Sequence, residues 1–218
     1  MSAWVLRGQE KPSSESCTVQ GKISIAGPDE FVEDMLRARA VNRYGGSITR
    51  PGPVQPYALS EKAVVFLDAE GSEIQYGPPS ARPKLSQSSL MFRPLVLPVL
   101  VGTKVDFPND DNLFHNVFSY SQPKEFDLGL YPQGETRTVT FDKPGVVKVY
   151  CDIHSHMYAT ILVLRNPYFA VPDDRGSFRI DSVPPGTYKL KFWYDRDIVE
   201  TRRITLKANE TRTEHFSR

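Results

Sequence analysis

Cysteine is nearly absent: Cys17 and Cys151 are the two in 218 residues, too few for a disulfide framework. Long apolar runs are missing too. The longest, residues 95–101, contains a proline and falls far short of the roughly 20 residues that span a bilayer, so no membrane span is expected. Neither sign of charge dominates, with 27 Lys and Arg against 26 Asp and Glu. That balance excludes a general nucleic-acid binder held by backbone charge. No secretion signal is expected in the first residues, since Ala3-Trp4-Val5-Leu6 is too short for an apolar h-region. Two readings follow: a cytoplasmic protein, or one whose signal has been removed and a start methionine supplied. Exact internal repeats, heptads and low-complexity tracts are absent as well.

What is abundant is proline, at 18 residues beside 14 glycines, above the usual frequency of about 5%. Such punctuation disfavours long helices and suits short strands joined by turns. Val19, Gly21, Ile23 and Ile25 alternate with Gln20, Lys22 and Ser24 as in a half-buried strand. One short helix is expected near the N-terminus, opening at Gly27-Pro28-Asp29-Glu30, running towards Arg43 and stopped by Gly45-Gly46. A second strand is expected over residues 63–68, and the Pro-rich link from Gly77-Pro78-Pro79 to Pro83 marks a boundary. Residues 84–164 read as β throughout, with strands over 95–101, 103–107, 116–120 and 136–141. Val147, Val149 and Cys151 then share one face, as do Ala159, Ile161 and Val163. The remainder alternates turns (Asp173-Asp174-Arg175-Gly176 and Val183-Pro184-Pro185-Gly186) with strands facing Phe178, Ile180, Tyr188, Leu190 and Phe192 inward.

The chemistry is concentrated in Tyr150-Cys151-Asp152-Ile153-His154-Ser155-His156-Met157, with His115-Asn116 upstream. A thiolate, two imidazoles and a thioether are the donor set of a copper electron-transfer centre. Soft sulfur suits Cu(I), imidazole suits both oxidation states, and a trigonal plane with a weak axial ligand keeps their geometries similar. Other readings of the same residues stand beside it. Cys151 could be a small buried hydrophobe, or a nucleophile with His115 or His154 as base, although no oxyanion element or orienting acid is evident. A structural zinc site would prefer more thiolates. Asp110-Asp111 reads as a solvated turn, the basic residues after Arg175 as a solvated face, and Cys17 as a bystander in a polar stretch.

These segments carry a resemblance. Val101-Gly102-Thr103-Lys104-Val105-Asp106-Phe107-Pro108-Asn109, His115-Asn116-Val117, Pro144-Gly145 and the Cys-x2-His-x2-Met loop together resemble the cupredoxin family, its amicyanin-like and plastocyanin-like blue copper members, over residues 85–164. The resemblance implies a Greek-key β-sandwich holding one type 1 copper ion, with ligands His115, Cys151, His154 and axial Met157, and with Asn116 bracing the loop. His156, beside Met157, departs from that pattern and stands as a competing ligand. The stretches Val19-Gln20-Gly21-Lys22-Ile23, Ala63-Val64-Val65-Phe66-Leu67 and residues 176–190 are similar to the non-catalytic regulatory-like sandwiches found beside carboxypeptidases. Here they flank the copper segment on both sides.

The expected molecule is therefore all-β: a cupredoxin sandwich plus a second small β-sandwich and one short helix. Its expected parts are an N-terminal tail (1–16), a split sandwich (17–82 and 166–218) and an inserted cupredoxin (83–165). The expected function is transfer of single electrons between redox partner proteins, such as a cytochrome or a dehydrogenase, without enzymatic turnover and without nucleic acid. A periplasmic or extracytoplasmic location goes with that reading. Copper storage, or a structural accessory module, is the alternative. The edge of His154 is expected at the surface among Ile153, Tyr158, Tyr131 and Pro132, with His115 deeper.

Overall fold

The computed structural model describes residues 15–26, 57–69, 76–77 and 79–218. The helix expected over residues 27–43 lies outside them. Among the described residues, sixteen strands and one short helix, α1 (Leu59–Lys62), make up the regular structure, and no helix is long and apolar enough to cross a membrane.

Strands β1 (Cys17–Ser24) and β2 (Ala63–Ala69) come before the central segment, which contributes β3 (Ser86–Ser88), β4 (Met91–Arg93), β5 (Val96–Leu100), β6 (Thr103–Pro108), β7 (His115–Ser121), β8 (Lys124–Tyr131), β9 (Thr136–Phe141), β10 (Gly145–Tyr150) and β11 (Tyr158–Leu164). After it come β12 (Phe169–Ala170), β13 (Ser177–Val183), β14 (Gly186–Tyr194), β15 (Asp197–Leu206) and β16 (Thr211–Ser217). The central strands pair among themselves, in a five-stranded sheet ordered β5-β11-β10-β7-β8 and in the pairs β3-β4 and β6-β9. The flanking strands build β13-β1-β16 and β12-β2-β14-β15. The chain thus leaves one set of sheets after β2 and rejoins it at β12.

Each set closes on its own apolar core, as alternating strands require. The flanking sheets bury Val19, Ile23, Val65, Leu67, Phe178, Ile180, Leu190, Phe192 and Phe216. Gly21 interrupts the inward face of β1 because a Cβ there would overlap the Glu214 carbonyl and press on the Phe178 ring. Cys17 is not a bystander: it is buried at the start of β1 and its thiol donates to the Lys207 carbonyl at 2.9 Å. The central sheets bury Val99, Val105, Phe107, Val117, Phe141, Val147, Val149, Ile161 and Val163.

A third cluster joins the two bodies. Val64, Phe66 and Trp193, on the reverse face of the β2-β14 pair, pack with Met91, Leu95, Val96 and Leu162. Strands β2 and β11 are consequently buried on both faces, which accounts for their unbroken apolar runs. At the rim of this contact the β14–β15 turn grips β10 and β11. Lys148 Nζ donates to the Arg196 carbonyl at 2.6 Å, and Tyr158 Oη donates to Asp195 at 2.8 Å.

Candidate metal centre

Strands β10 and β11 form an antiparallel hairpin whose last pair is Tyr150 with Tyr158, so residues 151–157 are the loop that joins them. The loop is pinned internally by Met157 N–H to the His154 carbonyl (2.8 Å) and Cys151 N–H to the Met157 carbonyl (3.3 Å). β10 lies beside β7 in the sheet, and His115 opens β7 at the same end. This neighbourhood brings together two segments 36 positions apart in sequence.

The donor atoms converge. Cys151 Sγ lies 3.8 Å from His115 Nδ1 and 3.7 Å from His154 Nδ1, and the two imidazole nitrogens are 3.0 Å apart. A point equidistant from all three lies about 2 Å from each, within the ~2.0–2.3 Å of metal–imidazole and metal–thiolate bonds. The three residues form a cluster able to hold a metal ion. Met157 is fully buried in the same core as Cys151. His115 is buried completely, whereas His154 is half-buried.

His156 stands apart from this cluster. Its Nε2 lies 3.1 Å from the Leu90 carbonyl, and because a carbonyl only accepts, that nitrogen carries the proton. His156 Nε2 is thus engaged by the backbone of residue 90.

Asn116 ties the donor loop to β7. Its Oδ1 accepts from Asp152 N–H at 3.2 Å, and its Nδ2 donates to Asp127 at 2.6 Å. Behind His115, Asn109 shapes the approach to the strand, donating to the carbonyls of Leu113 (2.8 Å) and Tyr131 (3.0 Å) and accepting from Asp111 N–H (3.0 Å). Asp111 corrects the expectation of a solvated turn. Its Oδ2 lies 2.9 Å from His115 Nε2, and its carboxylate also accepts from Ser89 N–H (2.5 Å) and Leu90 N–H (2.8 Å). A carboxylate on the far nitrogen of a ligating imidazole fixes its tautomer and turns the other nitrogen towards the metal. No sequence pattern separated Asp111 from Asp110; an acid four residues before a candidate ligand was the available signal.

The electrostatics follow from this packing. Burial is the largest influence on His115 and disfavours the imidazolium, but bonds to Asp111 and Cys151 outweigh it and lift the pKa from 6.5 to about 9. Burial likewise favours the neutral thiol of Cys151. Bonds from His115, His154 and the backbone N–H groups of Asn116 and His154 overcome it and bring the pKa from 9.0 down to about 6. Both shifts run in the direction that favours an imidazolium beside a thiolate in the metal-free site.

The surface around the loop agrees with expectation at Ile153 and departs from it at Tyr131 and Tyr158. Tyr131 is fully buried, accepting from Gln87 Nε2 at 2.6 Å and donating to the Phe107 carbonyl at 3.0 Å. Tyr158 faces the other body, bonded to Asp195 and covered by the Arg196 guanidinium. The exposed apolar side chains at this end are Leu113, Phe114, Leu130 and Ile153, each about half accessible. Leu113 and Phe114 lead directly into His115, Leu130 pairs with Asn116 across β7–β8, and Ile153 precedes His154.

No family model matches the chain, and no curated protein does. Solved structures do. A Cu-containing nitrite reductase (NirK) from Thermus scotoductus SA-01 aligns at 26% identity and a TM-score of 0.38, over 45% of this chain and 26% of that enzyme; the chain thus spans about a quarter of the enzyme's length. A purple cupredoxin from Nitrosopumilus maritimus aligns at 26% identity and a TM-score of 0.34, over 38% of this chain and 99% of the other. A mutant of amicyanin in its reduced state aligns at 17% identity and a TM-score of 0.37, over 51% of this chain and 95% of the other.

Proposed function

We propose that the central sandwich is a cupredoxin holding one type 1 copper ion, and that the protein carries single electrons between redox partners instead of catalysing a reaction. The observation that carries this reading is the donor triangle of Cys151 Sγ, His115 Nδ1 and His154 Nδ1, with the Met157 thioether buried in the same core. One thiolate, two imidazoles and a thioether match copper in both oxidation states better than zinc, which favours additional thiolates or carboxylates. A copper ion held there would supply one-electron exchange between Cu(II) and Cu(I).

The chain's own residues do the rest. Asp111 and Asn116 hold His115 and the donor loop against β7, so the donor positions are set by the sheet before any ion binds. Backbone N–H bonds from Asn116 and His154 to the Cys151 sulfur stabilise its anionic form. The buried His115, Cys151 and Met157 exclude water, while the half-buried His154 offers a ring edge at the surface. Leu113, Phe114, Leu130 and Ile153 at that end suit a small, brief contact with a redox protein. The flanking sandwich is read as a non-catalytic frame into which the cupredoxin is inserted, and the location as extracytoplasmic.

Titration of the purified protein with Cu(II) tests the reading. An intense visible thiolate-to-copper band at one copper per chain is expected, together with rapid reversible electron exchange with a small cytochrome. A colourless Cu(II) complex overturns the type 1 assignment. A coloured site that releases its copper on every reduction overturns the carrier reading in favour of storage.

A further inference from the structure

The β3–β4 hairpin pairs Ser88 with Met91, leaving Ser89 and Leu90 as a two-residue turn. Both adopt left-handed backbone, with φ of 57° and 60°. Turns of this kind favour Asn-Gly or Gly-Gly, because a Cβ is disfavoured at positive φ. A Ser-Leu pair held in that conformation is over-determined from outside, as strained backbone at functional sites commonly is. The constraints are visible. Asp111 accepts from both turn N–H groups, and the Leu90 carbonyl accepts from His156 Nε2.

Through these bonds the turn reaches both histidine donors. One arm runs from the Ser89 and Leu90 amides through the Asp111 carboxylate to His115 Nε2. The other runs from the Leu90 carbonyl to His156, which lies between His154 and Met157 in the donor loop. We propose that the Ser89–Leu90 turn is a shared anchor for the two segments carrying the histidine donors, and that His156 is a positioning residue tying the loop to that anchor. The internal loop bonds span only a few residues, whereas the His156 bond crosses 66 positions of sequence. It therefore fixes where the second half of the loop sits relative to β7, not merely its internal shape. The metal readouts below rest on the copper reading; the readout in the metal-free protein does not.

The test compares the full wild-type chain with His156→Phe, which keeps ring bulk and loses the donor, and His156→Gln, which keeps a donor. In the metal-free proteins, amide exchange at Ser89 and Leu90 is expected to quicken at least about tenfold in His156→Phe and to return towards wild type in His156→Gln. With Cu(II) bound, His156→Phe should keep the intensity of the visible band but shift the reduction potential. It should also lose copper to a chelator about tenfold faster or more, the usual scale for residues supporting metal ligands; His156→Gln should restore both. Unchanged turn exchange in His156→Phe overturns the anchor, as does failure of His156→Gln to rescue. Loss of the band in His156→Phe makes His156 a ligand and also overturns the proposal. A wild-type protein that gives no copper band defeats the copper reading alone, and turn exchange still decides the anchor.

Discussion

The two bodies of the molecule use the same β-grammar with different interiors. The flanking sandwich buries an apolar core, where Phe192 packs against Phe216 (5.2 Å between ring centroids) and Phe216 against Phe178 (6.1 Å), and its buried polar groups, Lys62, Asn166, Asp195 and Glu214, each keep 6–8% exposure. The central sandwich matches it at one end. At the other it buries His115, Asn116, Asn109 and Gln87 with the Cys151 thiol. Burying polar groups is costly unless each finds a partner, and here the partners are mainly backbone groups of the neighbouring loops and strands together with Asp111, Asp127 and Tyr131. One interior is arranged for stability, the other gives up apolar contact to hold donors in place.

The largest effect expected from breaking that contrast is at Cys151. Cys151→Ser should abolish the visible copper band while leaving the far-ultraviolet circular dichroism of a folded β protein; a mutant that keeps the band would place the metal elsewhere. The reciprocal change is Phe192→Ala in the flanking core. It should lower unfolding free energy in urea by about 3–5 kcal/mol, yet leave the band of the surviving folded protein where it was. A shifted band would mean that the two interiors are not independent.

Metal affinity should depend on pH in a way confined to the polar end. With His115 lifted to about 9 and Cys151 lowered to about 6, a bound metal displaces roughly one proton from this pair between those values and roughly two from it below pH 6. Affinity should therefore rise about tenfold per pH unit from 6 to 9 and more steeply below. Calorimetry in buffers of different ionisation heat counts these protons; release of none at pH 7 would contradict a His115–Cys151 pair that carries one proton. The smallest effect is expected at the rim, where Ile153→Glu should slow electron exchange with a partner by a few fold and leave colour and stability unchanged. An equal slowing by a charge placed on the flanking sandwich would remove the distinction between the two surfaces.

Much of the site could be read before folding, because three of its four candidate donors lie in a loop of residues 151–157. Their spacing is a local property, as is the alternation that marks β9, β10 and β11. Strand β8 went unnamed although Phe126, Leu128 and Leu130 alternate with Glu125, Asp127 and Gly129 in its sequence; at the sheet edge those apolar side chains are half-buried or exposed. The share of Asp111 in the site was invisible for a different reason. One carboxylate in a turn looks like any other until His115 and the Ser89–Leu90 amides converge on it. Within the expected rim Ile153 is exposed, but Tyr131 was misplaced for the same reason, since both are large side chains and only packing sends one inward and leaves the other out.

By itself the amino-acid sequence determined the β class, the apolar faces of most strands and the donor chemistry. These depend on residue type and short-range periodicity, which survive without any long-range contact. The tertiary structure alone decided which histidines share a centre. His115 meets Cys151 because β7 and β10 are neighbours in one sheet, and His156, one residue from Met157, is drawn off by a carbonyl 66 positions away. Hydrogen bonds and metal ligation act over about 2–3 Å, so partners that distant in sequence become partners only once strand order has placed them side by side.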